Sequence, residues 1–190
     1  MKNLFYLIIC APTLTLFSGC SNTLGIGSTN PSKWPEKAVG TLGFKAESPL
    51  YKANAVFRKW IFAKLSIPGD DITKLTATLY IDINSVYERT IRLTNDLKTE
   101  KYLDGVNYPI ATVEISNVQN IDNDDYIADL KITIKEFTKK ATTNFKLSKN
   151  GGTYHVKGQA DLLRKEFDVG NDKMKSIKNE VVVYYDTDLK

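Results

Sequence analysis

Few side chains in this 190-residue chain are of the kinds that carry covalent or metal chemistry. The one histidine, His155, stands between Tyr154 and Val156 in a run that reads as a strand. An imidazole can serve as base or metal ligand, but a lone one is most often a wall or surface residue. Acid pairs occur at Asp70/Asp71 and Asp124/Asp125, both in turn-forming stretches. Asp belongs there for backbone reasons, because its carboxylate bonds to nearby amides. The stretch "DNDD", residues 122–125, offers oxygen ligands for calcium. It has neither EF-hand spacing nor the closing bidentate Glu. No Gly-rich phosphate loop, nucleophile elbow or zinc spacing occurs. The expectation is a protein that is not an enzyme and has neither metal nor cofactor.

The residue whose setting does point to a covalent event is Cys20. Lys2 opens a short basic region, and Leu4 to Leu16 form an apolar stretch broken by Pro12. That is shorter than the roughly 20 residues of a membrane-spanning helix and has the shape of a secretory signal. It ends in "LFSGC", residues 16–20. Small residues just before a cysteine resemble a bacterial lipobox, in which the cysteine takes a lipid anchor (palmitate among its acyl groups) and the precursor is cut before it. Phe17 stands where that pattern prefers leucine. An ordinary signal with an incidental cysteine is the alternative. The expected organisation is a signal peptide over 1–19, a lipidated Cys20 with a flexible tether over 20–38, and one folded domain over 39–190. The tether is expected from the Ser, Asn, Thr and Gly of "SNTLGIGSTNPS". Cys10 would leave with the signal, so the mature chain would hold no disulfide and no cysteine nucleophile. Ser21 in place of Asp points to the outer membrane, facing the periplasm, where the enteric sorting pattern applies.

Hydrophobic content of 42%, charged content of 25% and a net charge of +4 are ordinary for a globular chain. Without a Lys/Arg run or a DNA-binding motif, this balance does not argue for nucleic acid. From residue 39 the pattern is strand after strand. In "KLTATLYIDINSV", Leu75, Ala77, Leu79, Ile81 and Ile83 share one side, while Thr76, Thr78, Tyr80, Asp82 and Asn84 share the other. Period two marks a sheet with one dry face. "ATVEISNV" and "YIADLKITIKEF" repeat it, and further strands are expected at Val39–Ala46, Ala55–Ile67, Thr143–Leu147, Tyr154–Leu162 and Glu180–Asp186. "PGDD", "NDD" and "NGG" punctuate them. The expectation is an all-β fold: an antiparallel up-and-down β-barrel of about eight strands, with a short helical or loop segment near 94–109. A closed barrel leaves no free edge. An immunoglobulin-like sandwich is the alternative.

The stretch "YLDGVNYPIATVEIS", residues 102–116, is unusually apolar for a loop leading into a strand. Tyr102, Leu103, Val106 and Tyr108 could fold over a barrel mouth as a lid, or simply pack under a loop. Here the chain resembles the YceI family of lipocalin-like bacterial envelope proteins. The family has two aromatics and an Asp, then a five-residue step to Pro and a strand; Tyr102, Leu103, Asp104 and Pro109 keep that spacing. Leu97, five before Tyr102, also fits. Ser85 and Val86 resemble the end of the preceding strand. "ITIKEFTKKATTNFKL" (132–147) resembles a later strand–turn–strand segment, and "VVVYYDTDL" the closing strand. Arg164, Phe167 and Gly170 match an Arg-x-x-Phe-Gly-x-Gly segment. The resemblance covers roughly 50–190. Asp96 stands in place of a family His, Glu136 and Asp168 in place of Gly, and Lys140 in place of Pro, which makes this a divergent member.

What the resemblance implies is an extended barrel that binds a long apolar molecule, such as a polyisoprenoid, without catalysis. A fatty-acid-like ligand is the related expectation. Candidate wall or lid residues are Phe57, Trp60, Phe62, Leu79, Ile81, Tyr102, Leu103, Tyr108, Val113, Ile132, Phe145 and Phe167. Trp60 and Phe62 share one parity, and Phe57, Ile61, Leu65 and Ile67 the other, so alternation alone does not say which side is interior. A barrel of the same fold with a filled core, acting in the envelope through its surface, is the alternative reading. An enzyme is a third.

Overall fold

A computed structural model describes residues 31, 34–38, 40–170 and 176–190. The described chain is all-β apart from one short helix and four 3₁₀ turns. The strands are β1 (Gly40–Glu47), β2 (Lys52–Phe57), β3 (Trp60–Ser66), β4 (Thr76–Asp82), β5 (Val86–Tyr87), β6 (Ile110–Asp122), β7 (Asp125–Ile134), β8 (Phe137–Asn150), β9 (Thr153–Leu163) and β10 (Glu180–Leu189). The helix α1 (Ile91–Leu97) lies between β5 and β6. All ten strands join one antiparallel sheet in the order β3-β4-β6-β7-β8-β9-β10-β1-β2-β5, and it curls around a core.

Ten segments stand where about eight were expected because two of the expected strands bend. The run expected from Ala55 to Ile67 breaks at Arg58–Lys59 into β2 and β3, and the run ending at Val86 breaks at the 3₁₀ turn Ile83–Ser85. The two corners are stitched together. The Arg58 amide donates to the Ser85 carbonyl (3.2 Å), the Lys59 amide to Ser85 Oγ (3.0 Å), and the Asp82 amide to the Lys59 carbonyl (3.0 Å). β2–β5 and β3–β4 are thus two halves of one bent hairpin. Closure is less complete than expected: β3, at the end of the sheet order, pairs with β4 alone among the described residues. Its exposed Lys64 is a residue type that discourages pairing with another chain.

The β8–β9 hairpin turns at Gly151 and Gly152, with φ of 55° and 86°, a conformation that glycine adopts without a Cβ clash. The expected strand Thr143–Leu147 is the middle of β8, which extends at both ends. The connections define two ends. The upper end carries the β1–β2 turn, the segment 88–109 with α1, the β7–β8 turn and the β9–β10 connection. The lower end carries residues 67–75, the β6–β7 and β8–β9 turns, the start of β1 at Gly40 and the end of β10 at Leu189.

Candidate functional site: an apolar cavity along the barrel

Side chains that alternate inward from nearly every strand meet around a cavity. Its volume is about 280 Å³. It runs from Leu75, Val156 and Leu189 at the lower end to Tyr51 and Ile177 at the upper end. The wall between is carbon: Phe44, Phe57, Phe62, Leu79, Val113 and Val183 are representative. The few polar liners are spoken for. The Thr143 hydroxyl donates to the Gln159 carbonyl (2.8 Å), so the Tyr185 hydroxyl donates to Thr143 (2.7 Å). Burial pushes the Tyr185 pKa up to about 12, the Thr143 bond pulling weakly the other way, so this wall residue is neutral. Its ring has room because Gly158 lies opposite it in the register. A Cβ there would stand 2.6 Å from the Tyr185 hydroxyl oxygen and from Phe145 Cβ. One polar atom is an exception: the indole N–H of the buried Trp60 has no acceptor among the described residues. Such a group costs about 1–3 kcal/mol of stability.

The lower end is stoppered. Two 3₁₀ turns, Pro68–Asp70 and Ile72–Lys74, bring the buried Ile72 and Leu75 against Val118, Phe145, Leu147 and Tyr154. Asp71 caps the second turn, accepting from the Thr73 amide (3.0 Å). Asp70 ties the stopper to the β8–β9 hairpin. It pairs with Lys149, its carbonyl accepts from the Tyr154 hydroxyl (2.7 Å), and Lys149 lies over the Tyr154 ring. The Lys149 bond, with Tyr154 second, holds the Asp70 carboxyl below its ordinary range.

The upper end is covered from two sides. Leu93 and Leu97 of α1, then Tyr102 and Leu103, reach the cavity from one side. Phe167, which ends the 3₁₀ turn Arg164–Phe167, and Val169 just beyond it reach the cavity from the other. Arg164 is buried, and its guanidinium donates to the carbonyls of Lys178 (2.9 Å), Ile177 (2.9 Å), Val169 (2.7 Å) and Gly170. It holds both arms of the β9–β10 connection in place. The Gly170 amide donates to Lys101 (2.8 Å), and Lys135 Nζ donates to the Asp168 carbonyl (2.7 Å) and the Glu100 carbonyl (3.3 Å), which joins the two sides.

Between them the rim is open at Glu47, Ser48 and Tyr51. Tyr51 donates to Glu88 (2.7 Å), which also accepts from the Thr90 amide (2.6 Å). Burial pushes the Glu88 carboxyl up, but the bonds from Tyr51 and Thr90 outweigh it and hold the group below its ordinary value of 4.5.

Eleven of the twelve candidate wall or lid residues line this cavity: Phe57, Trp60, Phe62, Leu79, Ile81, Tyr102, Leu103, Val113, Ile132, Phe145 and Phe167. The parity conflict disappears at the Arg58–Lys59 corner, which lets Phe57, Trp60 and Phe62 all face inward. A register shift between Phe62 and Lys64 then turns Leu65 toward the lower core. Tyr108 is not on the cavity wall. It is half-buried, and its hydroxyl bonds to Glu136, which raises the Tyr108 pKa and lowers that of Glu136. The apolar loop is therefore divided: Tyr102 and Leu103 cover the cavity, Tyr108 packs beside it, and Val106 points to solvent. His155 lies between Asp188 (Nδ1, 2.9 Å) and Asp186 (Nε2, 3.0 Å), away from the cavity wall. Asp125 pairs with Lys146. Cys20, the proposed signal and most of the tether lie outside the described residues. Tyr185 and Arg164 were not picked out as site residues. Tyr185 was hidden in "VVVYYDTDL", where both faces read apolar, and the Arg164 partners are carbonyls, which leave no mark on sequence.

A family model described as YceI-like domain matches residues 37–189. Among solved structures, Burkholderia cenocepacia BcnA superposes with a TM-score of 0.74 at 18% identity, covering 82% of this chain and 100% of that one. A polyisoprenoid binding domain from Saccharophagus degradans, implicated in plant cell wall breakdown, gives 0.59 at 13%, covering 81% and 97%. The Campylobacter jejuni YCEI protein gives 0.52 at 16%, covering 70% and 85%. No curated protein matches this chain.

Proposed function

We propose, from the premise that the chain belongs to the YceI-like domain family, that it is a non-enzymatic carrier holding a long apolar ligand along its barrel. The carrying observation is the carbon-lined cavity that spans the sheet from Leu75 to Tyr51. A wall of this kind offers a ligand burial of apolar surface, at roughly 25 cal/mol per Å², and almost no hydrogen bonds. It suits a flexible hydrocarbon and gives little to a polar molecule. The polyisoprenoid binding domain of Saccharophagus degradans supports an isoprenoid, and a fatty-acid-like chain meets the same wall equally well. The open channel favours this reading over a filled core acting only through its surface.

The test is mass spectrometry of an apolar-solvent extract of the purified protein, with uptake of an added polyprenyl alcohol as the second arm. An isoprenoid or acyl lipid in the extract is expected. A protein that is empty and takes up nothing overturns the proposal.

The same reading places the carrier in the cell envelope, exported by its N-terminal signal, anchored through lipid on Cys20 and held at the outer membrane facing the periplasm. The support is the "LFSGC" stretch and Ser21. Cys20→Ala is expected to release the protein from membrane fractions. A mature-size variant that still sediments with membranes would remove the anchor.

A further inference from the structure

We propose that the upper end docks directly on a lipid bilayer and takes its ligand from there; this rests on the ligand-binding reading above. Large apolar side chains are exposed among the described residues at Leu50, Tyr51, Tyr87, Ile91, Val106, Leu163 and Ile121. All but Ile121 belong to the end where the cavity opens. Three are almost wholly in solvent: Leu50 is 97% exposed, Val106 87% and Ile91 78%. They stand on three separate features: the β1–β2 turn, the first turn of α1, and the loop after it.

They are also tied to the mouth. Tyr51, next to Leu50, lines the cavity, and its hydroxyl lies 3.3 Å from the Thr90 hydroxyl, beside Ile91. Gly105, next to Val106, has its carbonyl held by Asn84 Nδ2 (2.7 Å).

The arrangement fits a bilayer better than a folded partner. A protein interface has a contiguous apolar centre; here the three most exposed tips stand on separate features, with charged residues along the segment between Ile91 and Val106. Segment 89–101 carries Arg89, Arg92, Lys98 and Lys101 against Asp96 and Glu100. On α1, Ile91 and Arg92 are exposed while Leu93 and Leu97 turn inward. Long basic side chains beside isolated apolar tips suit the headgroup layer, where stems bury and charges reach anionic phosphate. An apolar ligand also enters a carbon-lined channel most readily from a lipid phase, without crossing water.

The test uses the mature chain from Ser21 onward, which lacks both the apolar signal and the lipidated cysteine, so that no anchor confounds it, and a dansyl-labelled polyprenyl alcohol as probe. Probe transfer from vesicles containing phosphatidylglycerol is expected to accelerate with vesicle concentration and to run faster than from phosphatidylcholine alone. Adding Leu50→Ser, Ile91→Ser and Val106→Ser together is expected to slow it by about tenfold or more, equivalent to ~1.4 kcal/mol. Uptake of the same probe diluted from ethanol stays unchanged, and so does the thermal midpoint. Ile121→Ser, at the other end, leaves transfer unchanged. A triple variant that transfers normally, or transfer indifferent to vesicle concentration, overturns the docking and leaves the ligand reading standing. A probe that no form takes up from ethanol sinks the ligand reading, and the docking with it.

Discussion

The two ends of the barrel are closed by different physics. The lower stopper is a short covalent continuation of β3 into β4. It packs Ile72 and Leu75 on the core and is latched by one surface group, Asp70, to Lys149 and Tyr154. The upper cover is assembled from segments far apart in sequence; the buried Arg164 organises one side of it through backbone carbonyls, and Lys135, its side chain also buried, joins the two sides. Surface ion pairs contribute little. A buried guanidinium whose carbonyls would otherwise be unsatisfied contributes much more. The lower end is therefore a floor that tolerates the loss of its latch, and the upper end is a structure that rests on buried cations, Arg164 with the most bonds.

Four experiments sharpen or break that contrast. Arg164→Met should have the largest effect. It leaves the carbonyls of 169, 170, 177 and 178 without their donor, and a loss of about 3 kcal/mol or more in chemical denaturation is expected. A loss no larger than that of a surface change would mean the upper cover does not depend on this residue. Tyr102→Ala comes next. It removes a ring from the cavity wall and cover, so bound polyprenyl alcohol should leave severalfold faster under conditions where the variant is fully folded. Tyr108→Phe, off the wall, should leave that rate alone. Equal off-rates for both variants would make the loop packing and nothing more.

At the floor, Tyr154→Phe removes only the hydroxyl that Asp70 accepts. Its thermal midpoint should fall by less than that of Arg164→Met, with ligand retention unchanged; faster release would mean the lower end is a second door. The smallest effect is expected from acid. Glu88 is held below 4.5 by Tyr51 and Thr90. A carboxyl with a lowered folded pKa contributes stability that is complete above the unfolded value and fades as pH falls through the folded one. The Tyr51–Glu88 contact should therefore hold at neutral pH and loosen only below about 4.5. It can be followed by hydrogen exchange at Thr90, and Glu88→Gln should flatten that pH dependence.

Much of this was legible in the residues. Alternation in β4, β6 and β7 gave the dry face, and with it Leu79, Ile81, Val113 and Ile132 on the wall. The "NGG" turn gave the β8–β9 hairpin. The corner at Arg58–Lys59 was not legible, because a bend that swaps faces looks from sequence like a strand apolar on both sides. The incomplete closure at β3 was hidden for a related reason, since pairing depends on where two distant strands separate. Tyr108 was placed on the lid by proximity to Tyr102; the competing attraction is Glu136, reached only through the fold.

Gly40 enters the sheet at the lower end, opposite the mouth. Under the proposed anchoring, residues 21–33 form a leash of thirteen residues between Cys20 and the segment in which Ala38 packs on the core. Fully drawn out it reaches about 45 Å. A ten-residue strand such as β10 is only about 30 Å long. Standing upright on such a leash, the proposed carrier would present its mouth away from the anchoring membrane. The leash has slack enough to let it somersault and drink from that membrane, or to lean across a gap toward another. A leash cut shorter than the barrel's height would forbid the somersault, so uptake from the home membrane would stop while binding of ligand supplied from above continued.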